Sequence, residues 1–244
     1  MSEKLSVDFE TAEFLKNNFN NVRCRIKAAS NGADVKLVGA TKTVDASVIN
    51  YAAENLGLTD IGENRVQELV AKYDSLQKER LNIHFIGRLQ TNKVKYIIDK
   101  VCLIQSVDTV ELAAEIDKQA RKHGRIMDVL IEVNIAGEIS KGGATPDDVV
   151  KLAEKISEMP NVRLVGLMSV PPKDDSEEEY RIHFKKTGEL LEILCEKRLV
   201  AVENPVLSMG MSDSYESAVE CGANMVRIGS ALFGARDYNV RKQN

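Results

Sequence analysis

Val35-Lys36-Leu37-Val38-Gly39-Ala40-Thr41-Lys42 is a short apolar run that ends in a lysine. Its length suits a strand buried on both faces. At the carboxyl end of an inner strand of a parallel α/β protein, an ammonium points into the crevice where such folds bind ligands. Partial burial lowers the pKa of an amine and frees it for Schiff-base chemistry. The plain alternative is a lysine that ends a strand and reaches solvent.

Outward from this run the chain alternates. Before it, Phe9, Ala12, Leu15, Phe19, Val22 and Ile26 recur at helical spacing from about Asp8 to Ala29, and Asn31-Gly32 punctuates. After it, Asp45 is a candidate N-cap for a helix to about Asn55, and Thr59–Gly62 is a second strand. A helix from Val66 toward Gln77 leads to a strand over Asn82–Gly87, and Thr91 is placed to cap a helix through Ile98. Further strands read over Val101–Val107, Met127–Asn134, Val162–Val170, Pro205–Gly210 and Asn224–Gly229, with helices over Val110–His123, Thr145–Met159, Asp174 toward Arg198 and Tyr215–Cys221 between them. A last helix from about Ala231 runs into the basic tail. Thr145-Pro146-Asp147-Asp148 is a helix start with proline at the first position and acids in the first turn. The acidic run Asp174–Glu179 reads as a solvated first turn rather than a metal site. Eight strand-then-helix units with buried-type strands predict a (β/α)8 TIM barrel with an extra N-terminal helix, one domain over 1–244. No Gly-x-Gly-x-x-Gly follows the first strand, which weakens a dinucleotide-binding reading.

Composition narrows the function classes. A net charge of −4 gives no global attraction to nucleic acid or anionic membrane. Cys24, Cys102, Cys195 and Cys221 are widely spaced without a CxxC, so reduced, partly buried thiols are expected rather than a zinc site. Met1-Ser2-Glu3-Lys4 lacks a signal-peptide pattern and no apolar run has the length of a membrane span, so the expected location is cytoplasmic. Low aromatic content leans toward a monomer.

The loops after the strands carry Lys42, Glu63-Asn64, Gly87-Arg88, Asn134, Ser169, Ser208–Asp213 and Arg227-Ile228-Gly229-Ser230. Small residues and hydroxyls after strands seven and eight supply donors for a phosphate where barrels commonly bind one, although taken alone they are ordinary turns. A lysine with a phosphate anchor is what pyridoxal 5'-phosphate requires, and Arg227 is placed to stand against the pyridine nitrogen. Such an arginine keeps that nitrogen unprotonated. A salt bridge inside the barrel mouth is the competing role for Arg227. His84 is either a proton donor near the cofactor or a strand histidine satisfied by a neighbouring carbonyl. Lys141, after Ser140, is a candidate for anion or partner contact, or a solvated loop lysine.

Gly39–Thr43, Gly62-Glu63-Asn64-Arg65-Val66-Gln67-Glu68, His84–Lys93, Leu207–Asp213 and Val226–Gly234 together closely resemble the YggS/PROSC family of pyridoxal phosphate homeostasis proteins. The resemblance runs from the first strand to Arg236-Asp237-Tyr238. It implies a barrel like the N-terminal domain of alanine racemase, with the cofactor on Lys42 as a lysine aldimine. It also implies phosphate contacts around Ser212, Gly229 and Ser230, Arg227 near the ring nitrogen, and Asn64 and Ser169 lining the pocket, with Ser208 and Met211 beside them. The family often has tryptophan before the His-Phe-Ile-Gly run; Ile83 stands there in this chain. A non-catalytic protein that buffers the cofactor or delivers it to pyridoxal-phosphate-dependent apoenzymes is the expectation. The related racemases need a second domain for a tyrosine base, and little chain follows the eighth unit here. The alternatives are a racemase-like enzyme and a colourless phosphate-sugar enzyme using Lys42 as nucleophile.

Overall fold

The computed structural model describes residues 7–138, 142–172 and 176–234. Ser140, Lys141, Asp174, Asp175, the Arg236-Asp237-Tyr238 segment and the basic tail, all noted above, lie outside the described residues, as does Met1–Lys4.

Eight parallel strands close into a barrel in chain order, β1 (Lys36–Ala40), β2 (Asp60–Glu63), β3 (Asn82–Phe85), β4 (Leu103–Val107), β5 (Met127–Val133), β6 (Val162–Ser169), β7 (Val206–Ser208) and β8 (Met225–Ile228). Closure is made by β1 against β8, with Gly39 opposite Ile228. The helices are α1 (Phe9–Ala29), α2 (Ala46–Asn55), α3 (Val66–Lys72), α4 (Val110–Lys122), α5 (Pro146–Ser157), α6 (Glu177–Glu196), α7 (Tyr215–Glu220) and α8 (Ser230–Phe233). The predicted TIM barrel with its added N-terminal helix is thus observed.

Local chemistry explains most boundaries. Asp8 accepts from Thr11 N–H at 2.7 Å and starts α1, and Ser176 with Glu179 forms a reciprocal capping box on α6. Leu15, Phe19, Val22 and Ile26 form the buried stripe of α1, whereas Phe9, read as part of that stripe, is 80 % exposed. Phe19 meets Phe233 edge-to-face at 5.9 Å, so α1 lies against the last helix of the described chain. Two expected helices differ: the one read from Val66 toward Gln77 ends at Lys72 with a 3-10 turn over Tyr73–Ser75, and Thr91–Tyr96 is a 3-10 helix with Gln90, not Thr91, at its N-cap. Val94, Ile97 and Ile98 are all fully buried, and the Ile97 N–H donates to the Val94 carbonyl at 3.1 Å, so the segment packs as a short, tight turn. The thiols are also more open than expected: Cys24, Cys102 and Cys195 are exposed and Cys221 is half-buried, all four free.

Two apolar layers result. Helix stripes pack on the outer faces of the strands in one large core, and Val38, Leu103, Leu130, Val165, Met168 and Met225 form a separate cluster. These six come from alternate-facing positions of β1, β4, β5, β6 and β8 and fill the barrel interior. Among the described residues no helix is long and apolar enough to cross a membrane.

Candidate functional site

Lys42 stands just beyond β1, half-buried, on a loop held from behind by Lys72 of α3. Lys72 Nζ donates to the carbonyls of Thr41 at 2.9 Å and Val44 at 3.2 Å, the residues that bracket Lys42. It also pairs with Glu63 Oε1 at 2.7 Å, and the Thr41 hydroxyl donates to the same oxygen at 2.5 Å. The Thr43 N–H donates to Glu68. Glu63 is fully buried; burial raises its carboxyl above the usual range and the Lys72 ammonium pulls it back. Lys72 therefore positions the loop and neutralises Glu63 together. Lys72→Met is expected to cost about 3 kcal/mol at pH 8, because an uncompensated carboxylate is left buried. The loss shrinks toward acid pH, because burial raises the Glu63 carboxyl and a protonated Glu63 needs no counter-charge. Urea unfolding at pH 8 and at acid pH measures this, and equal losses at both would contradict an ionised pair.

Across the β1–β8 seam lies the turn Gly229-Ser230. A Cβ built on Gly229 would meet the Ala40 carbonyl oxygen at 3.4 Å, so this turn abuts the strand that carries Lys42. Ser212 reaches the same place: its hydroxyl oxygen accepts from Ala231 N–H at 3.2 Å. Met211, half-buried, is fixed by its backbone, its carbonyl accepting from Ser214 and Tyr215 at 3.0 and 2.9 Å. Gly210 allows this tight return, since at φ +86° a Cβ would lie 2.8 Å from Tyr215 Cα. Lys42, Ser212, Gly229 and Ser230 are therefore gathered at the carboxyl ends of β1, β7 and β8.

Deeper in the barrel, Arg227 of β8 is 4 % exposed. Its Nη1 donates to Ser208 Oγ at 2.7 Å and its Nη2 to the Ser169 carbonyl at 3.0 Å. Ser169 and Ser208 are both fully buried inside the strands, where they grip Arg227. A guanidinium has five N–H donors. The other three meet no acceptor among the described residues. Asn64, at the end of β2, likewise keeps its Oδ1 buried without a donor.

One acid escaped the sequence reading. Glu132 of β5 is pushed up to about 7 by burial and by the Asp108 carboxylate, against the opposing charges of Arg227 and Arg88. Burial in turn lowers Arg227 to about 10, with Glu132 acting against the shift. A carboxyl that prefers its proton when folded lowers stability as pH rises from its unfolded value of 4.5 through 7, because the unfolded chain releases that proton first. Glu132→Gln is expected to remove this decline. Relative to wild type the variant should gain about 3 kcal/mol between pH 4.5 and pH 8, read from denaturant midpoints along a pH series. A constant difference across the series would contradict a titrating Glu132.

Against known proteins, residues 12–237 match the family model described as "Alanine racemase, N-terminal domain". A "Pyridoxal phosphate homeostasis protein" from Aquifex aeolicus is 51 % identical over 203 residues, covering 83 % of this chain and 88 % of that protein. The structure of PipY from Synechococcus elongatus with PLP bound superposes with a TM-score of 0.79 at 28 % identity, covering 90 % of this chain and 100 % of that one. Alanine racemase from Clostridium difficile shares the fold, at a TM-score of 0.71 and 17 % identity, with 96 % of this chain covering 62 % of the enzyme.

Proposed function

The chain belongs to the family of pyridoxal phosphate homeostasis proteins, built on the alanine racemase N-terminal domain, and from that membership we propose that it binds pyridoxal 5'-phosphate in the mouth of its barrel, as a carrier. The observation that carries this reading is Arg227. A buried cation with three unspent N–H donors calls for an acceptor, and an unprotonated pyridine nitrogen is one. Asn64 Oδ1 complements it as a buried acceptor awaiting a donor, such as the ring hydroxyl. The residues present therefore fit the cofactor.

In this account Lys42 would be the covalent anchor, the amine that would condense with the cofactor's aldehyde and release water. Ser212 and the Gly229-Ser230 turn hold the phosphate with hydroxyl and backbone donors, and Met211 borders them. Ser169 and Ser208 act through Arg227. Bound pyridoxal phosphate supplies a conjugated ring that accepts electron density. Arg227, cationic at neutral pH, would donate to the ring nitrogen rather than protonate it, which would leave the ring a weak electron sink and favour holding over turnover. The relatives' names support the same role. Release to pyridoxal-phosphate-dependent apoenzymes, a monomeric state and a cytoplasmic location complete the proposal.

A second reading, amino-acid turnover, is favoured by one observation, the Glu132 carboxyl near pH 7 beside Arg227, a pKa suited to proton transfer. Both readings meet in one experiment. The protein is titrated with pyridoxal phosphate while the visible band is recorded, then mixed with a cofactor-free aminotransferase, and separately with amino acids in D2O. The carrier reading expects a band, recovery of aminotransferase activity and no exchange of the amino-acid α-proton. Exchange at a catalytic rate would move the enzyme reading to first place, and the absence of any band would overturn both.

A further inference from the structure

Four buried side chains cross the barrel interior in a line behind Arg227, and the line ends on an exposed lysine. Ser208 Oγ, which accepts from Arg227, donates to Gln105 Oε1 at 2.7 Å. Gln105 Nε2 faces His84 Nδ1 at 2.9 Å, and His84 Nε2 faces Asp60 Oδ1 at 3.0 Å. Asp60 closes the line against Lys36 Nζ at 3.2 Å, beside a cavity of about 330 Å³ at the amino-terminal end of the barrel.

The line has a direction. Because Gln105 accepts from Ser208 through Oε1, its other end is the amide nitrogen, which only donates. His84 Nδ1 must then carry a lone pair, and its proton sits on Nε2, facing the Asp60 carboxylate. That carboxylate is ionised: burial raises it, but hydrogen bonds from His84 and Thr59 and the nearby charge of Lys36 bring it down to about 2. Every donor therefore points from Arg227 toward Asp60, so each dipole presents its negative end to the cation and its positive end to the anion. An amide in the middle hands on orientation without handing on a proton.

We propose that Asp60, His84, Gln105 and Ser208 are positioning residues that hold the Arg227 guanidinium oriented toward the barrel mouth, and so set how its free N–H groups meet the cofactor ring. The inference deepens the pyridoxal phosphate reading and rests on it for the last clause. No motif announces the set, since its members come from β2, β3, β4 and β7.

The test has two arms. In cofactor-free protein, 15N NMR of the histidine ring nitrogens and of the Arg227 guanidinium should place the His84 proton on Nε2 and show Arg227 ordered. Gln105→Leu should loosen the guanidinium signals, whereas Val165→Ala, a cut in the barrel-interior cluster outside the line, should not. In the second arm the same proteins are titrated with pyridoxal phosphate. Gln105→Leu should bind on the order of tenfold more weakly, the scale of one hydrogen bond to a charged group, and with a displaced visible band; Val165→Ala should keep the wild-type band. Asp60→Asn, which keeps an acceptor for His84, should retain the Nε2 proton, and the far-UV and near-UV circular dichroism of each variant should match wild type. A proton on His84 Nδ1, an unchanged Arg227 signal in Gln105→Leu, or equal band shifts in Gln105→Leu and Val165→Ala would each overturn the proposal. Wild-type protein that binds no pyridoxal phosphate would sink the cofactor reading, while the cofactor-free arm would still decide the line.

Discussion

Lys42→Ala is expected to abolish the borohydride-fixed adduct with pyridoxal phosphate completely while leaving the barrel folded. Without the amine no carbon–nitrogen bond forms at this position, so the loss is complete. The fold stays intact because Lys42 lies beyond the last residue of β1 and is half-buried. The loop's shape is carried instead by Lys72, through the carbonyls of Thr41 and Val44, and by the Thr41–Glu63 hydrogen bond. Truncating a partly exposed loop side chain of this kind changes stability by about 1 kcal/mol or less. Residual, non-covalent and weaker binding should persist, because Arg227, Ser212 and the Gly229-Ser230 turn remain. Equilibrium dialysis with and without reduction separates the two outcomes. An adduct that survives the substitution, or a variant that does not fold, would contradict the assignment.

Gly166→Ala is expected to have the largest effect on the fold, roughly 3 kcal/mol or more of lost stability. Gly166 sits where the β5–β6 pairing slips by one residue, with Val129 opposite Leu164 and Leu130 opposite Gly166. A Cβ there would lie 1.9 Å from the Val206 carbonyl oxygen and 2.7 Å from its carbon, both backbone atoms of β7 that cannot swing aside. The residue also has φ +154°, a conformation that side-chain-bearing residues avoid. Because Ser169 ends β6 and Ser208 ends β7, parting these strands would also unseat both partners of Arg227. The urea midpoint measures the loss, and affinity for pyridoxal phosphate should fall with it. A fully stable variant would show that the β6–β7 contact yields more readily than its geometry implies.

Much of this was readable from residues alone. Apolar runs of strand length, each closed by glycine or a polar pair, located all eight strands to within a few residues, and the loop after each strand held most of the residues now found at the mouth. Lys42, Asn64, Ser212, Gly229 and Ser230 were visible because they follow strands, where parallel barrels put their chemistry. Gln105 and Glu132 were not, because each is a lone polar residue inside an apolar run, Leu103-Ile104-Gln105-Ser106-Val107 and Leu130-Ile131-Glu132-Val133. The signal was present all the same: a polar side chain two positions from an interior leucine shares that leucine's face, and inside a barrel it needs a partner. Lys72 carried no signal, since a lysine near a helix C-terminus is ordinary until the fold turns it back on the first loop. His84 was weighed as a histidine satisfied by a neighbour; its neighbours are Asp60 and Gln105 rather than a carbonyl.

The central claim is that Lys42 is the anchor of a pyridoxal phosphate site. The most direct measurement is to saturate the protein with pyridoxal phosphate, reduce it with borohydride, digest it and weigh the peptides. The account predicts the reduced adduct on the peptide that contains Lys42, with the visible band lost on reduction. No adduct, or an adduct confined to other lysines, would contradict it.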